Sequence, residues 1–166
     1  MPDHIFNKII FDKRYGRKIF RELCPGGQID FNLLIERPLY VYRGDLTAIE
    51  KDDFPCNWNT WNREFWGTKW NAYNGSIGFE NRLAFIKFCT AWTIPRPVIA
   101  AFANKFRIPF TFKYYDEGEF HSGIEEWATD PRNPSEKIVV RISKNENDPD
   151  LVEKLKTELY GYKDIE

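Results

Sequence analysis

The sequence has little cysteine, no long apolar run and no excess of charge, and each absence excludes a class of protein. Its 166 residues include three cysteines, Cys24, Cys56 and Cys89, which lie far apart and never form a C-x-x-C pair. Neither a disulfide framework nor a thiolate zinc site is predicted, and buried, reduced thiols are expected. No stretch is long and apolar enough to span a bilayer, and the opening residues lack the order of a signal peptide, so a cytoplasmic protein is expected.

The balance of charge argues against general polyanion binding. The formal net charge is −1, from 24 basic and 25 acidic residues. Such a chain has no overall attraction to nucleic acid or to an anionic membrane, so binding of that kind would need a local patch. Hydrophobic residues make up 42% of the chain and aromatic residues 17%, which indicates a folded core. A single domain over residues 1–166 is therefore predicted.

Catalytic motifs are missing as well. Glycine-rich phosphate loops, zinc signatures and nucleophile elbows do not occur. Several carboxylates and one histidine cluster at a predicted hairpin tip, but they lack the spacing of metal ligands, and exposed tips are usually polar. These residues are Asp116, Glu117, Glu119 and His121. We predict a non-enzymatic protein without a metal or another cofactor.

The hydrophobic pattern predicts strands and helices that alternate along the chain. Strands are expected at residues 4–11, 82–92, 110–115, 120–127 and 137–143. Helices are expected at residues 13–23, between Pro95 and Pro109, and after Asp148. This order favours an α+β fold in which helices pack on one face of a mainly antiparallel sheet.

A long insertion follows the first predicted helix. It covers residues 28–78 and is expected to contain a short strand at 39–42 and a helical turn near 58–66. Asn74-Gly75-Ser76 is typical of a turn. Residues 130–166 form a C-terminal extension with one strand and one helix.

The segment WGTKW and a later tryptophan form the first candidate motif. Its residues are Trp66, Gly67, Thr68, Lys69, Trp70 and Trp92. The three indoles could stack on nucleobases, at about 1–3 kcal/mol per base. Alternatively, Trp66 and Trp70 are buried fasteners that pin the insertion onto the sheet, with Gly67 permitting close approach and the Lys69 stem lying over a ring. Such a clasp is the commoner role of large aromatic residues near loops.

A basic segment in the first predicted helix is the second candidate motif. Its candidate binding residues are Lys13, Arg14, Arg17, Lys18 and Arg21. They could contact phosphates or an acidic protein surface. A solvated helix face is the commoner explanation of such a pattern, and Asp12 and Glu22 dilute the charge.

Five segments make the chain resemble a known family over roughly residues 1–127. They are MPDHIFNKIIF, IDFNLLIERP, WGTKWNA, TAWTIPRPVI and YYDEGEFHSG, and they resemble the phage- and plasmid-encoded YubB-like proteins. The resemblance implies a ferredoxin-like fold and an origin on a mobile genetic element. It implies no particular activity. The basic helix at residues 13–21 departs from the family pattern, so the partner is not carried over.

Two functions remain open from the sequence. The first is a non-enzymatic accessory protein that binds a host protein in the host cytoplasm and inhibits an anti-phage defence system, as an anti-CRISPR does by binding an effector or its nucleoprotein complex. The aromatic residues and arginines of the chain are of the kind that anchor interfaces. The second is a single-stranded nucleic-acid-binding protein that uses an aromatic sheet surface, because Phe110, Phe112 and Tyr114 share one strand face. Nearly neutral charge makes nucleic acid the less favoured partner.

Overall fold

The computed structural model describes residues 3–47, 50–118, 121–128, 139–142 and 148–160. Six strands in these residues form one sheet of order β2-β3-β1-β4-β5-β6, in which all neighbours are antiparallel. The strands are β1 (His4–Asp12), β2 (Tyr73–Glu80), β3 (Leu83–Ala91), β4 (Phe110–Asp116), β5 (Ser122–Ala128) and β6 (Val139–Ile142). The helices are α1 (Gly16–Leu23), α2 (Glu50–Asp53), α3 (Trp58–Phe65), α4 (Arg96–Phe106) and α5 (Pro149–Leu155).

The first four strands have the ferredoxin-like arrangement. Helix α1 follows β1, helix α4 connects β3 to β4, and β1 lies between β3 and β4 in the sheet. This is the βαββαβ order in which two split βαβ units interleave. The predicted α+β, ferredoxin-like fold with a mainly antiparallel sheet is confirmed. The insertion lies between α1 and β2, so it ends before Tyr73, and its predicted range of 28–78 includes most of β2, a strand that the sequence analysis did not expect.

Alternation along β1 decides which side chains enter the main core. Ile5, Ile9 and Phe11 are buried and belong to the cluster that includes residues of α1 and α4, because successive side chains of a strand point to opposite faces. Phe6 and Lys8 therefore lie on the other side, which we call the outer face of the sheet. The main core lies between the sheet and the layer formed by α1, α4 and the insertion.

The last helix covers part of the outer face. Leu155 of α5 and Leu159 of the following π-helical turn, Lys156–Tyr160, pack with Tyr115 in a second, smaller cluster. The prediction that helices pack on one face of the sheet therefore holds for α1 and α4 but not for α5, because an apolar stripe marks a helix as amphipathic without saying which face of a sheet it covers. None of the described helices has the length and apolar character that crossing a membrane requires.

Two local predictions are wrong. Asn74-Gly75-Ser76 is not a turn but lies inside β2, where the pairing with β3 shifts register and Asn74 has a φ of 50°. Asparagine tolerates positive φ, which occurs in some β-bulges as well as in turns. The strand expected at residues 39–42 is absent from the described structure, which has an isolated parallel bridge between Tyr42 and Asn57 there.

The remaining boundaries differ from expectation by a few residues. The predicted helix at 13–23 begins with a 3-10 turn, Lys13–Tyr15, and becomes α-helical at Gly16. The Asp12 side chain accepts the N–H of Arg14 at 2.8 Å, as expected for a capping residue. Phe120, Lys137 and Ser143, which were expected in strands, lie outside the described residues.

Candidate functional site

Trp66 lies where the clasp interpretation places it. The side chain is 1% exposed, and its Nε1 donates a hydrogen bond to the carbonyl oxygen of Ile35 at 2.9 Å. Its ring meets the ring of Phe31 edge to face, with 5.8 Å between centroids, and Phe31 in turn meets Phe88 of β3 at 5.7 Å. Trp66 thereby links the insertion to the sheet.

The rest of the motif is divided between buried and open positions. Thr68 is buried, and its Oγ1 donates a hydrogen bond to the carbonyl oxygen of Ala91 at 2.9 Å. Trp70 is half-buried, and Lys69 Nζ lies 5.0 Å from its ring centroid. Trp92 is 44% exposed, so it is not a buried fastener. Because Trp66 is buried and Trp92 is open, the three indoles do not form one stacking platform.

Gly67 provides the close approach that the motif predicts. Its φ is +75°, and a Cβ at this position would lie 2.7 Å from Cδ of Pro97. Gly67→Ala should lower the free energy of unfolding by about 1–3 kcal/mol, since it combines a positive φ with this overlap. Urea unfolding measures the change. Gly26 is the control, because its φ is +72° and nothing lies within 4 Å of its Cβ position; an equal loss in Gly26→Ala would contradict the steric argument.

The basic segment is a solvent-exposed surface. All five candidate side chains, Lys13, Arg14, Arg17, Lys18 and Arg21, are exposed. The guanidinium of Arg14 lies 4.7 Å from the Tyr15 ring centroid and 3.7 Å from Asp12, and Lys13 Nζ lies 5.6 Å from the ring centroid of Phe79. The other three lie on α1, whose buried residues include Ile19 and Leu23. This arrangement fits a solvated helix face.

Two segments of the insertion form an open apolar groove of about 560 Å³. We call it the insertion groove; its lining comprises residues 39–43 and 53–56. Leu39 is 91% exposed and Tyr40 74% exposed. The rings of Tyr42 and Phe54 stack with 4.8 Å between centroids, and both are exposed. Contiguous apolar side chains with this degree of solvent exposure are typical of interaction sites.

The base of the insertion groove is held by hydrogen bonds. The Tyr42 N–H donates to the carbonyl oxygen of Cys56 at 3.0 Å, and the Trp58 N–H donates to that of Tyr42 at 2.8 Å. Trp58 Nε1 also donates to the carbonyl oxygen of Gly44 at 3.1 Å. Val41 is buried in the main core between the exposed side chains. The open aromatic side chains therefore stand on a fixed backbone.

Arg43 and Asp53 give the groove one charge of each sign, since both line it and both are exposed. Arg37 does not line the groove. Burial lowers the pKa of Arg37, and the nearby charge of Arg43 lowers it further, while the carboxylate of Asp30 acts in the opposite direction. A carboxylate supplied by a partner near Arg43 would be attracted by its positive charge. Sequence reasoning missed the groove because it interpreted residues 39–42 as a strand.

The cysteines differ in exposure, which corrects the expectation of three buried thiols. Cys24 and Cys89 are buried, and burial raises the pKa of the Cys24 thiol to about 12 and that of Cys89 to about 11. Cys56 is exposed and lines the insertion groove. No disulfide links them.

Three lysines form a row across the outer face, which we call the lysine row. Lys8 of β1 is in register with Lys87 of β3 on one side and Lys113 of β4 on the other. The Glu158 carboxylate lies 3.2 Å from Lys8 Nζ and 2.6 Å from Lys113 Nζ. Lys87 Nζ donates to the backbone carbonyl oxygen of Glu158 at 3.2 Å, and Glu80 lies 3.5 Å from Lys8. The row brings together residues far apart in sequence, and the sequence analysis missed it.

Glu158 stays ionised in this setting. Burial raises its pKa, but the hydrogen bond and charge of Lys113, followed by those of Lys8, outweigh burial and hold the pKa below its ordinary value. The contact therefore stabilises the fold above the pKa of Glu158 in the unfolded chain. That contribution is lost as the pH falls through the lower folded-state pKa.

The remaining sequence candidates do not assemble into a site. Asp116 is buried rather than exposed at the hairpin tip, and its Oδ1 accepts the N–H of Gly118 at 2.9 Å. His121 is exposed, and Glu119 lies outside the described residues. Glu117 Oε2 accepts the N–H of His4 at 3.2 Å. In the part of the chain that the structure describes, no three acidic, histidine or cysteine residues form a metal-binding group.

The strand face that suggested nucleic-acid stacking is part of the main core. Phe110, Phe112 and Tyr114 are all buried in it. They cannot present their rings to a nucleic acid, because the helical layer covers them. Any nucleic-acid surface on the sheet must therefore lie on the outer face.

Comparison with known proteins supports the fold and names no activity. Residues 65–145, just under half of the chain, match a family model described as the ferredoxin-like domain in Api92-like protein. No curated protein and no solved structure matches the chain. The match agrees with the ferredoxin-like part of the resemblance drawn from the sequence, and it does not extend to a YubB-like assignment or to an origin on a phage or plasmid.

Proposed function

We propose that this chain is a non-enzymatic accessory protein that binds another protein through the insertion groove. The observation that carries the proposal is the exposure of Leu39 and Tyr40, at 91% and 74%, on a backbone fixed by hydrogen bonds. Tyrosine and arginine are enriched among the residues that dominate binding energy, and a rigid apolar surface loses little entropy on association. The partner would insert an apolar side chain and place a carboxylate near Arg43.

The identity of the partner class rests on the resemblance to YubB-like proteins. That resemblance implies a phage or plasmid origin, and such an accessory protein would act on a host protein in the host cytoplasm. We propose a component of an anti-phage defence system as the partner, such as a CRISPR effector or its nucleoprotein complex, which the protein would inhibit. The groove supports protein binding, and the resemblance supports the choice of a host defence protein.

Capture from a host lysate tests the function. The wild-type protein and the variant Leu39→Ser/Tyr40→Ser serve as baits, and the captured proteins are quantified by mass spectrometry. We expect the variant to lose about 90% or more of the specific partner, because removal of two central interface side chains weakens binding by about 2 kcal/mol or more.

The matched control is Lys18→Ser, which changes an exposed residue of α1. It should capture the partner as the wild type does, and all three baits should have the same thermal midpoint. Equal capture by the wild type and by the Leu39→Ser/Tyr40→Ser variant would show that the insertion groove is not the contact surface.

A further inference from the structure

We propose that the outer face of the sheet holds a binding site for single-stranded nucleic acid, centred on the lysine row, and that Glu158 occupies this site in the unbound chain. The proposal goes beyond protein binding at the insertion groove, since it concerns a different surface and a different class of ligand.

The lysine row concentrates positive charge on the outer face. Three ammonium groups stand side by side on neighbouring strands, which are about 4.7–4.9 Å apart. Lys8 is 5% exposed. Burial, followed by the charge of Lys8, lowers the pKa of Lys87. Buried like charges are costly unless anions face them, and lysine is a common phosphate ligand. The row therefore has the composition of an anion site.

Aromatic side chains flank the row on the same face. Lys8 Nζ lies 5.1 Å from the ring centroid of Phe85, and the ring of Phe6 meets the ring of Tyr160 at 4.8 Å between centroids. Tyr115 also belongs to this face and is covered by Leu155 and Leu159. Single-strand binders combine a cationic surface for the backbone with aromatic rings on which bases stack. This combination favours nucleic acid over a small anion.

Helix α5 and the π-helical turn Lys156–Tyr160 cover the lysine row, and a ligand can displace them. This cover belongs to a small cluster with three buried residues, Tyr115, Leu155 and Leu159, separate from the main core. Its π-helical turn places both the carboxylate and the backbone carbonyl oxygen of Glu158 at the lysines. π-Helical turns often occur at functional sites. The phosphate oxygens of a nucleic-acid backbone would take the place of the Glu158 oxygens, so each lysine would keep an oxygen partner.

The open part of the outer face offers a first contact. A depression of about 390 Å³ lies at the edge of this face, lined by Ile10 of the outer face and also by Phe11 and Phe110 of the main core. Arg14 and Tyr15 line it as well. Asp12 and Glu126 also line it, so its own attraction for a polyanion is weak. Residues of β1 and β4 line the depression, and the same two strands carry Lys8 and Lys113 of the lysine row. A single strand held at Arg14 can therefore continue along β1 to the row once the helix is displaced.

Fluorescence anisotropy with fluorescein-labelled dT15 tests the site. Glu158→Gln removes the carboxylate that bridges Lys8 and Lys113 and leaves Glu80 at Lys8, so we expect it to bind dT15 about tenfold or more tightly than the wild type. Its plot of log K against log salt concentration should be steeper by about 1.4, because about two more phosphates are neutralised. The control Glu153→Gln makes the same change at an exposed position of α5 and should bind like the wild type.

Further variants separate this site from general charge effects. The gain should disappear in Glu158→Gln/Lys113→Ala, and Leu39→Ser/Tyr40→Ser should bind dT15 like the wild type. Inorganic polyphosphate should compete at least about tenfold less well than unlabelled dT15, because it offers no bases to stack. Equal competition, or unchanged affinity in Glu158→Gln, would overturn the proposal.

An NMR titration of the wild type with dT15 decides the matter even where a variant fails to fold. The amide signals of Leu155, Leu159 and Lys113 should shift together as the helix leaves the sheet. Saturation with dT15 that leaves those three signals in place would contradict the proposal.

Discussion

Replacing Trp66 with alanine is expected to lower the free energy of unfolding by about 3–5 kcal/mol, the range for large aromatic residues in cores. The side chain is 1% exposed and contacts Phe31 and Trp61 edge to face. The substitution leaves a cavity between the insertion and the sheet, and it removes the donor to the carbonyl oxygen of Ile35. Urea unfolding followed by circular dichroism measures the change.

Trp92→Ala is the matched control for this substitution. It removes the same side chain from a position that is 44% exposed, so the loss should be about 1 kcal/mol or less, typical of a surface change. If Trp66→Ala and Trp92→Ala had similar effects, Trp66 would not fasten the insertion.

Replacing Arg96 with alanine is the second large expected effect, a loss of about 3 kcal/mol at pH 7. Glu125 is 1% exposed, and its carboxylate accepts hydrogen bonds from Arg96 Nη1 and, at 3.1 Å, from Trp127 Nε1. The guanidinium also lies 5.5 Å from the ring centroid of Tyr114. Loss of Arg96 leaves a buried carboxylate without its counter-charge. Because the Arg96 side chain is half exposed, water reaches the gap, and the lower end of the range for broken buried pairs applies.

A double substitution distinguishes the ion pair from simple packing. Arg96→Ala/Glu125→Gln puts a neutral amide in place of the buried charge, so it should recover about half or more of the lost stability. Chemical unfolding of the wild type, both single variants and the double variant forms a complete cycle. Additive losses in the double variant would mean that Arg96 contributes through its contact with Tyr114 instead.

The parts of the fold that follow local rules could be predicted from the sequence. Short apolar segments located β1, β3 and β4, and prolines in a first turn located α4 and α5. Asp12 and Asp148 cap helical turns as their side chains predict. These signals act within a few residues, and tertiary packing did not override them here, as it did at Asn74-Gly75-Ser76, which lies within β2.

Features that depend on register between distant strands could not be predicted in this way. The lysine row joins residues separated by up to about a hundred positions, and nothing local says that they share one line across the sheet. A weak signal existed, since each of Lys8, Lys87 and Lys113 is the only lysine or arginine in its strand. The insertion groove could not be predicted either. Val41 is buried while its neighbours Tyr40 and Tyr42 are exposed, and this alternation is what a strand would also show.

The central claim, that the insertion groove is the partner-binding surface, is tested most directly by photocrosslinking from its native cysteine. Cys56 is exposed in the groove, whereas Cys24 and Cys89 are buried with raised pKa values and should resist a maleimide. Benzophenone maleimide on Cys56 should give a host-protein adduct in a lysate. The adduct should be lost in the Leu39→Ser/Tyr40→Ser background and absent when the label is placed on α1 in Cys56→Ser/Lys18→Cys. The same adduct from α1, or an adduct that persists in the Leu39→Ser/Tyr40→Ser background, would contradict the claim.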